Sequence, residues 1–459
     1  MLKTFITILG IEELRKKIFF TIFLLIVFRI GAHITVPGIN FQVLDDYLTG
    51  GATGGAKGVV DYIDLFAGGA FKRLSIFALG IMPYISASII MQLMMIVVPT
   101  LQKLQKEGEY GRKKINQYTR YGTVVLCAAQ AYGITVYISS IHTAILGKGG
   151  GLNLITGGND MGFMLLAMLA ITTGTIVLMW MGELITEKGI GNGISLLIFA
   201  GIISAAPQAV YNFWKAVQAN DIQVILALIL LIVFVGMIGL SILLTEGTRK
   251  IPLQYGKRIV GRRMMQGSSQ SLPIKVNAAN VMPIIFASSL MMFPSQLSTM
   301  LSASYPDFAR ILQEYLTPGS ISYLIIYVVM IIFFAYFYTA LQYNPKDLAE
   351  ALKKNGGYIP GIRPGSQTES HISKILNRIT LSGAIFLAFI AIVPDLIVKA
   401  WGLQAYQSMT SLFGGTSLLI IVGVALDTLK QIESQLIMRH YDGFMDRTKK
   451  SPSKARVMR

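Results

Sequence analysis

The sequence predicts an all-α polytopic membrane protein with ten transmembrane helices. Three observations lead there. Hydrophobic residues make up 53% of the 459 positions and charged residues only 14%, which is too apolar for a soluble chain of this size. Apolar runs of about 20 residues recur along the whole chain, the length that crosses roughly 30 Å of hydrocarbon at 1.5 Å per residue. Lysine and arginine, which give a net charge of +17, gather in alternate loops instead of one domain, as the positive-inside rule requires.

The elements follow in order. Arg15, Lys16 and Lys17 precede the first span, 18–37. That beginning is like a signal peptide, but the run is long enough to cross and many more follow, so it reads as a retained helix. The second and third spans, 74–98 and 121–141, are joined by a basic loop holding Lys103, Lys106, Arg112, Lys113, Lys114 and Arg120. Spans at 161–181, 194–211 and 222–244 lead into loop 245–279, with Arg249, Lys250, Lys257, Arg258, Arg262, Arg263 and Lys275. Spans 280–301 and 321–341 precede a second long loop, 342–378, with Lys346, Lys353, Lys354, Arg363, Lys374 and Arg378. Spans 379–400 and 411–430 and a basic tail complete the chain. The intervening loops are nearly free of Lys and Arg, apart from Lys72–Arg73 at a span's edge. Both termini, 1–17 and 431–459, are therefore expected in the cytoplasm.

A short echo hints at an internal repeat. "GNGISLLI" (Gly191–Ile198) begins the fifth span and "GGTSLLI" (Gly414–Ile420) the tenth. Those two spans enter from opposite sides, as an inverted repeat of five plus five (18–211 and 212–430) requires.

The chemistry of an enzyme or an ion-coupled transporter is not visible. Charges inside spans are costly and usually mark relays or ion sites. Here Arg29 is the clearest one, expected to snorkel or to pair with a neighbour, while Glu183, Asp395 and Asp427 fall near span ends and read as solvated. The four histidines are scattered without metal-ligand spacing, and Cys127 has no partner for an intramolecular disulfide. "GIGNG" at 189–193 has no strand before it and reads as a loop-to-helix turn. No cofactor or metal is expected. Within the spans, Ser86, Ser88, Gln92, Gln130, Ser288 and Ser289 are either helix–helix glue or part of a seam that can part. Loops 245–279 and 342–378 are longer than a connection needs, and Arg262, Arg263 and Arg363 suit carboxylate or phosphate pairing by a cytosolic partner.

Five strings carry more than composition does: "FALGIMPYISASII" (Phe77–Ile90), "EGEYGRKKINQYTRYGT" (Glu107–Thr123), "MGELITEKGIGNGISLLIFAGI" (Met181–Ile202), "GIRPGSQT" (Gly361–Thr368) and "FGGTSLLI" (Phe413–Ile420). In content and order they resemble the SecY family, the central channel subunits of the bacterial protein-export translocase, over about nine-tenths of the chain. The resemblance implies two five-helix halves around an hourglass pore that passes unfolded secretory proteins and releases transmembrane segments sideways into the cytoplasmic (inner) membrane. It implies an apolar pore ring of Ile81, Ile85, Ile198, Ile285 and Ile420, which resists wetting yet fits around any chain. It implies a plug at about 61–72, including Asp61, Asp64, Leu65, Phe66, Gly68, Gly69 and Phe71, and a lateral gate between spans two and three and spans seven and eight, where the six polar residues above fall. It further implies SecE-like and SecG-like subunits, signal peptides and nascent chains as partners, and docking of the ribosome and the SecA ATPase, which hydrolyses the ATP, at Arg262, Arg263 and Arg363. The glycine-rich 48–60 has no obvious family counterpart, and 147–160 reads as another loose external loop.

A small-solute secondary transporter is the competing reading, since it too would suit inverted repeats. It predicts a buried ionisable or polar midplane site, of which the sequence offers almost none. With the plug that the resemblance implies, the glycines and charges at the start of 64–90 become tolerable, because they sit in a water-filled funnel rather than against lipid. Ile81 and Ile85, four apart, are expected to share one helical face.

Overall fold

The computed structural model describes residues 11–47, 60, 63–147, 154–155, 160–219, 222–255, 258–260, 263–265, 269–301, 305–316, 320–401 and 414–449. Each expected span overlaps a helix: α1 (Glu12–Gly31), α3 (Met82–Val97), α5 (Glu109–Gly147), α6 (Asp160–Lys188), α7 (Gly193–Gln218), α8 (Val224–Glu246), α9 (Met282–Leu301), α11 (Ile321–Gln342), α13 (Ser366–Ala400) and α14 (Gly415–Lys449). Among the described residues, seven helices are long and apolar enough to cross a membrane, eight if α3 is taken together with α4 (Pro99–Lys106). Shorter helices α2 (Phe41–Asp46), α10 (Pro306–Leu316) and α12 (Pro345–Lys354) fill connections.

Local chemistry sets the helix ends. Asn192 caps α7, its Oδ1 accepting from the N–H groups of Ile194 (3.1 Å) and Ser195 (3.4 Å), and Ser320 caps α11 through the Tyr323 N–H (3.1 Å). The "GIGNG" string is thus a turn and cap, as expected. The chain bends by 100° between α3 and α4, at Val98–Pro99, where proline has no N–H to continue the ladder. α8 shows why the bundle needs lipid: Ile225, Leu228, Leu231, Ile232 and Leu243 all point outward and lie exposed, an arrangement that water would penalise.

The second span departs from expectation. Residues 74–80 are turns, with Leu74 at φ +42° and Gly80 at φ +57°, and helix begins only at Met82. Ile81 is therefore not on a helical face shared with Ile85; it stands just before the helix, where its carbonyl accepts from the Ile85 N–H (3.2 Å).

The repeat is visible in three dimensions. Gly193 and Gly415, first residues of α7 and α14, each press so closely on a neighbouring backbone carbonyl that a Cβ has no room, against Gly182 of α6 and Ile390 of α13 respectively. A second echo is stronger. "GIMPYISAS" (Gly80–Ser88) and "NVMPIIFAS" (Asn280–Ser288) lie 200 positions apart. Each starts a helix with Met-Pro, and each is preceded by a residue with positive φ, Gly80 at +57° and Asn280 at +52°.

Strands occur where the sequence was read as loop. β1 (Thr248–Tyr255) pairs antiparallel with β4 (Ser269–Lys275) and with β5 (Gly357–Tyr358), and β2 (Arg258–Val260) with β3 (Arg263–Met265). One sheet thus joins loops 245–279 and 342–378, over its own apolar cluster of Ile251, Leu253, Ile274, Ile359, Ile372 and Leu376. The alternation of Ile251, Leu253 and Tyr255 in β1 carries the strand signal, since successive side chains of a strand point to opposite faces.

Candidate functional site

The largest buried cluster lies where α3, α7, α9 and α14 converge. It contains Ile81 (5% exposed), Ile85 (3%), Ile198 (1%), Ile285 (2%) and Ile420 (0%). Four helices and one turn thus contribute the five isoleucines singled out in the sequence to one continuous apolar mass. Such a region excludes water and the ions that water carries.

Residues 63–70 lie against that mass. Ile63, Leu65, Phe66, Ala67 and Ala70 are buried in the same cluster, while Phe71 packs at its edge. Residues 63–67 are helical, and most of the residues from Gly68 to Gly80 are turns, with Ser75 in an isolated bridge to Thr35. Asp61 lies outside the described residues.

The segment is folded on one carboxylate. Asp64 Oδ1 accepts from the N–H groups of Phe71 and Lys72, each at 3.0 Å, and its backbone carbonyl accepts from the Gly69 N–H at 3.0 Å. Lys72 Nζ stands 4.0 Å from Oδ2. Its outer rim is clasped by Arg29 of α1, whose Nη1 donates to the Gly68 carbonyl (2.8 Å) and to Ser204 Oγ of α7 (2.8 Å). Ser204 Oγ in turn donates to the Gly201 carbonyl (2.6 Å). Arg29 therefore pairs with neighbours rather than snorkelling. Gly68 has φ +68°, and a Cβ there would sit 2.8 Å from Gly201 Cα, so glycine alone permits this approach. The segment thus has an apolar seat and a polar clasp.

Beside it runs a seam. α3 packs on α5 and α9 on α11, and α9 meets both α3 and α5. Ser288 and Ser289 are buried and donate to the Ile285 carbonyl (2.9 and 2.7 Å). Ser289 Oγ also lies 3.5 Å from Met82 Sδ, so it touches the opposite side of the seam. Ser86 and Ser88 are half-buried, and Gln92 Nε2 donates to Ser88 Oγ (3.3 Å) within α3. Gln92 Oε1 and Gln130 Oε1 are buried without a hydrogen-bond partner among the described residues, an arrangement that costs about 1–3 kcal/mol per group.

At the sheet-bearing end, Arg363 is exposed just after β5, its carbonyl accepting from Thr368 Oγ1 (2.9 Å). Arg263 lies in the short strand β3, and Arg262 lies outside the described residues. The acidic residues read as solvated are more engaged than that. Glu183 makes a two-pronged pair with Arg120 (2.9 and 2.7 Å), and Asp427 accepts from Asn280 Nδ2 (3.1 Å). Asp395 is half-buried in α13. A polar stripe on α7, Ser204, Gln208 and Asn212, was missed. Its i, i+4, i+8 spacing is the signal that places the three on one face.

The chain also has relatives among known proteins. The family model described as SecY matches residues 75–429. The protein translocase subunit SecY of Vibrio cholerae is 41% identical over 441 residues, covering 95% of each chain. That of Halalkalibacterium halodurans is 44% identical over 455 residues, covering 97% of this chain and 100% of its own. Three solved structures share the fold. One, described as a protein conducting channel, has a TM-score of 0.65 at 18% identity, covering 96% of this chain and 95% of that one. Another concerns the plug domain of the SecY protein, with a TM-score of 0.62 at 18% identity and the same coverage. The third is Sec61 in the canine ribosome-channel complex, with a TM-score of 0.62 at 17% identity, again covering 96% and 95%.

Proposed function

The chain belongs to the SecY family, and from that premise we propose that it is the pore-forming subunit of a bacterial Sec translocase, set in the cytoplasmic membrane with both termini inside. It is a multi-pass, protein-conducting channel. In the closed form the ring of Ile81, Ile85, Ile198, Ile285 and Ile420 is the constriction, the segment at about 61–72 is the plug, and the α3–α5 and α9–α11 pairs are the lateral gate. The halves divide as 18–211 and 212–430.

One observation carries the reading: five isoleucines from distant parts of the chain lie in a single buried cluster, and residues 63–70 are packed against it. A constriction made only of apolar, interchangeable side chains has no chemical preference, so it can pass chains of any sequence and still close to ions. The seam supports lateral release. Its polar atoms are neutral and partly unpaired, so exposing them to a passing segment costs less than separating charges. The exposed Arg363 and the sheet joining the two basic loops suit docking of the ribosome and of SecA, whose ATP hydrolysis would drive an otherwise passive pore. SecE-like and SecG-like subunits would cover part of the apolar exterior.

The test is crosslinking. A stalled secretory chain should crosslink to cysteines placed at positions 81, 198, 285 and 420 in reconstituted vesicles. Absence of crosslinks there, with uptake of a small solute instead, would return the transporter reading.

A further inference from the structure

α10 joins two neighbouring helices, α9 and α11, at the end of the bundle away from the sheet. Its residues sort into three faces, each with the spacing i, i+3, i+7. Ala309, Leu312 and Leu316 are buried or half-buried, and Leu316 packs against the central cluster. Asp307, Arg310 and Glu314 are charged and exposed. Phe308, Ile311 and Tyr315 are also exposed, though apolar or aromatic, and Tyr305 just ahead of the helix is exposed with them. Successive residues turn by about 100° around the axis, so the apolar face lies between the protein-facing face and the charged one.

The helix is fixed in that orientation. It packs along α9, and its last turn is tied to α11 by Ser320. The Ser320 Oγ donates to the Tyr315 carbonyl (2.9 Å) and accepts from the Tyr323 N–H (3.1 Å). Beyond this latch the exposed apolar surface carries on along α11 as Ile321, Ile325 and Val329, a stripe on a helix long and apolar enough to cross a membrane.

We propose that α10 is an interfacial helix, seated on the bilayer surface with Phe308, Ile311 and Tyr315 sunk into the lipid. A helix at that place has protein on one flank, lipid beneath it and water over the rest, and the three faces follow that order around the axis. Interfacial helices bury their apolar face about 5–10 Å into the headgroup boundary. Tyrosine suits this zone, because its ring is apolar and its tip is polar. The charged face holds two acids and one base, so burial of the apolar face, and not attraction to anionic lipid, holds the helix down. Since α10 is attached to both α9 and α11, its seat would keep those two helices together in the leaflet. That consequence for a lateral gate rests on the function proposed above, whereas the seat itself does not.

The test measures accessibility in the whole translocase complex, reconstituted in phosphatidylcholine nanodiscs. Nitroxide labels are attached through Phe308→Cys, Ile311→Cys, Arg310→Cys and Glu314→Cys, all at exposed positions where no buried contact is lost. Cys127 is buried, and the unsubstituted chain treated in parallel sets the background. Each label's collisions with oxygen, which concentrates in lipid, are compared with those of a neutral nickel chelate, which stays in water. The oxygen-to-nickel ratio should be severalfold higher at 308 and 311 than at 310 and 314, and the same pattern should hold in phosphatidylglycerol nanodiscs. Nickel reaching 308 and 311 as readily as 310 and 314 would overturn the seat. So would labels at 308 and 311 that neither reagent reaches, since a protein subunit would then cover the face. A pattern seen only in phosphatidylglycerol would overturn apolar burial as its cause. Failure of the secretory-chain crosslinks would leave these ratios unchanged, so the seat and the channel reading fall separately.

Discussion

The chain builds the same joint twice. Gly80-Ile81-Met82-Pro83 and Asn280-Val281-Met282-Pro283 each turn through positive φ into a helix that carries a buried isoleucine one turn on, Ile85 or Ile285. What precedes the joint differs. Before the first lies the 63–80 segment, held by Asp64 and Arg29 against the apolar cluster. Before the second lies the β1–β4 sheet, which has a small core of its own. The joint at 80 is occupied by glycine, and at 280 by asparagine, whose amide reaches Asp427 of α14. The two joints thus share a turn and a helix start, and they differ in what is packed ahead of them: on the proposed reading a stopper before the first and a docking arm before the second.

Four measurements would break or sharpen that comparison. The largest effect belongs to what the joints share. Replacing Ile81, Ile85, Ile198, Ile285 and Ile420 with glycine should open a persistent ion conductance in planar bilayers, and an unchanged baseline would remove the ring. Next comes the docking arm. Arg363→Glu should strongly reduce export into reconstituted vesicles while the protein stays inserted and stable, because an exposed side chain contributes little to folding. Normal export would strip the arm of its role.

The clasp ranks third. Arg29→Met removes charge-assisted hydrogen bonds worth about 1.5–3 kcal/mol. Brief openings should therefore become roughly ten- to a hundredfold more frequent, while the same truncation at Lys275 beside the second joint should leave conductance alone. The smallest effect tests the turn itself. Asn280→Gly keeps the left-handed conformation, whereas Asn280→Ala strains it by about 1 kcal/mol more. The alanine variant should therefore unfold at the lower temperature in a detergent melt; equal melting would mean that the turn is unstrained.

Much of this architecture was legible because lipid imposes its own grammar. Apolar runs such as 222–244 mark spans with no knowledge of packing, and the charges of loops 99–120 and 245–279 set the expected sidedness. The ring isoleucines could not be told from ordinary packing by composition, since each is one apolar residue among many; the family resemblance alone singled them out. The span edge at 74 was misplaced because residues 74–80 are apolar and yet turn, packed inside protein where irregular backbone is tolerated. The strand β1 was overlooked because its alternation is short and is interrupted by Pro252. Arg29 was correctly flagged as a costly charge, but its partners come from positions 68 and 204, and no local pattern reports a meeting over that separation.

The fold of the 63–73 segment on Asp64 has a kinetic consequence. A segment whose carboxylate already holds the Phe71 and Lys72 N–H groups carries its shape with it when it leaves its seat. If the segment is the plug, as proposed, resealing after a substrate has cleared amounts to returning a preformed stopper to its socket, with no chain to reorder first. Asp64→Ala should therefore lengthen the time that current takes to decay after passage while leaving the sealed state as tight as before, and an unaltered decay would mean that the stopper rebuilds itself on every cycle.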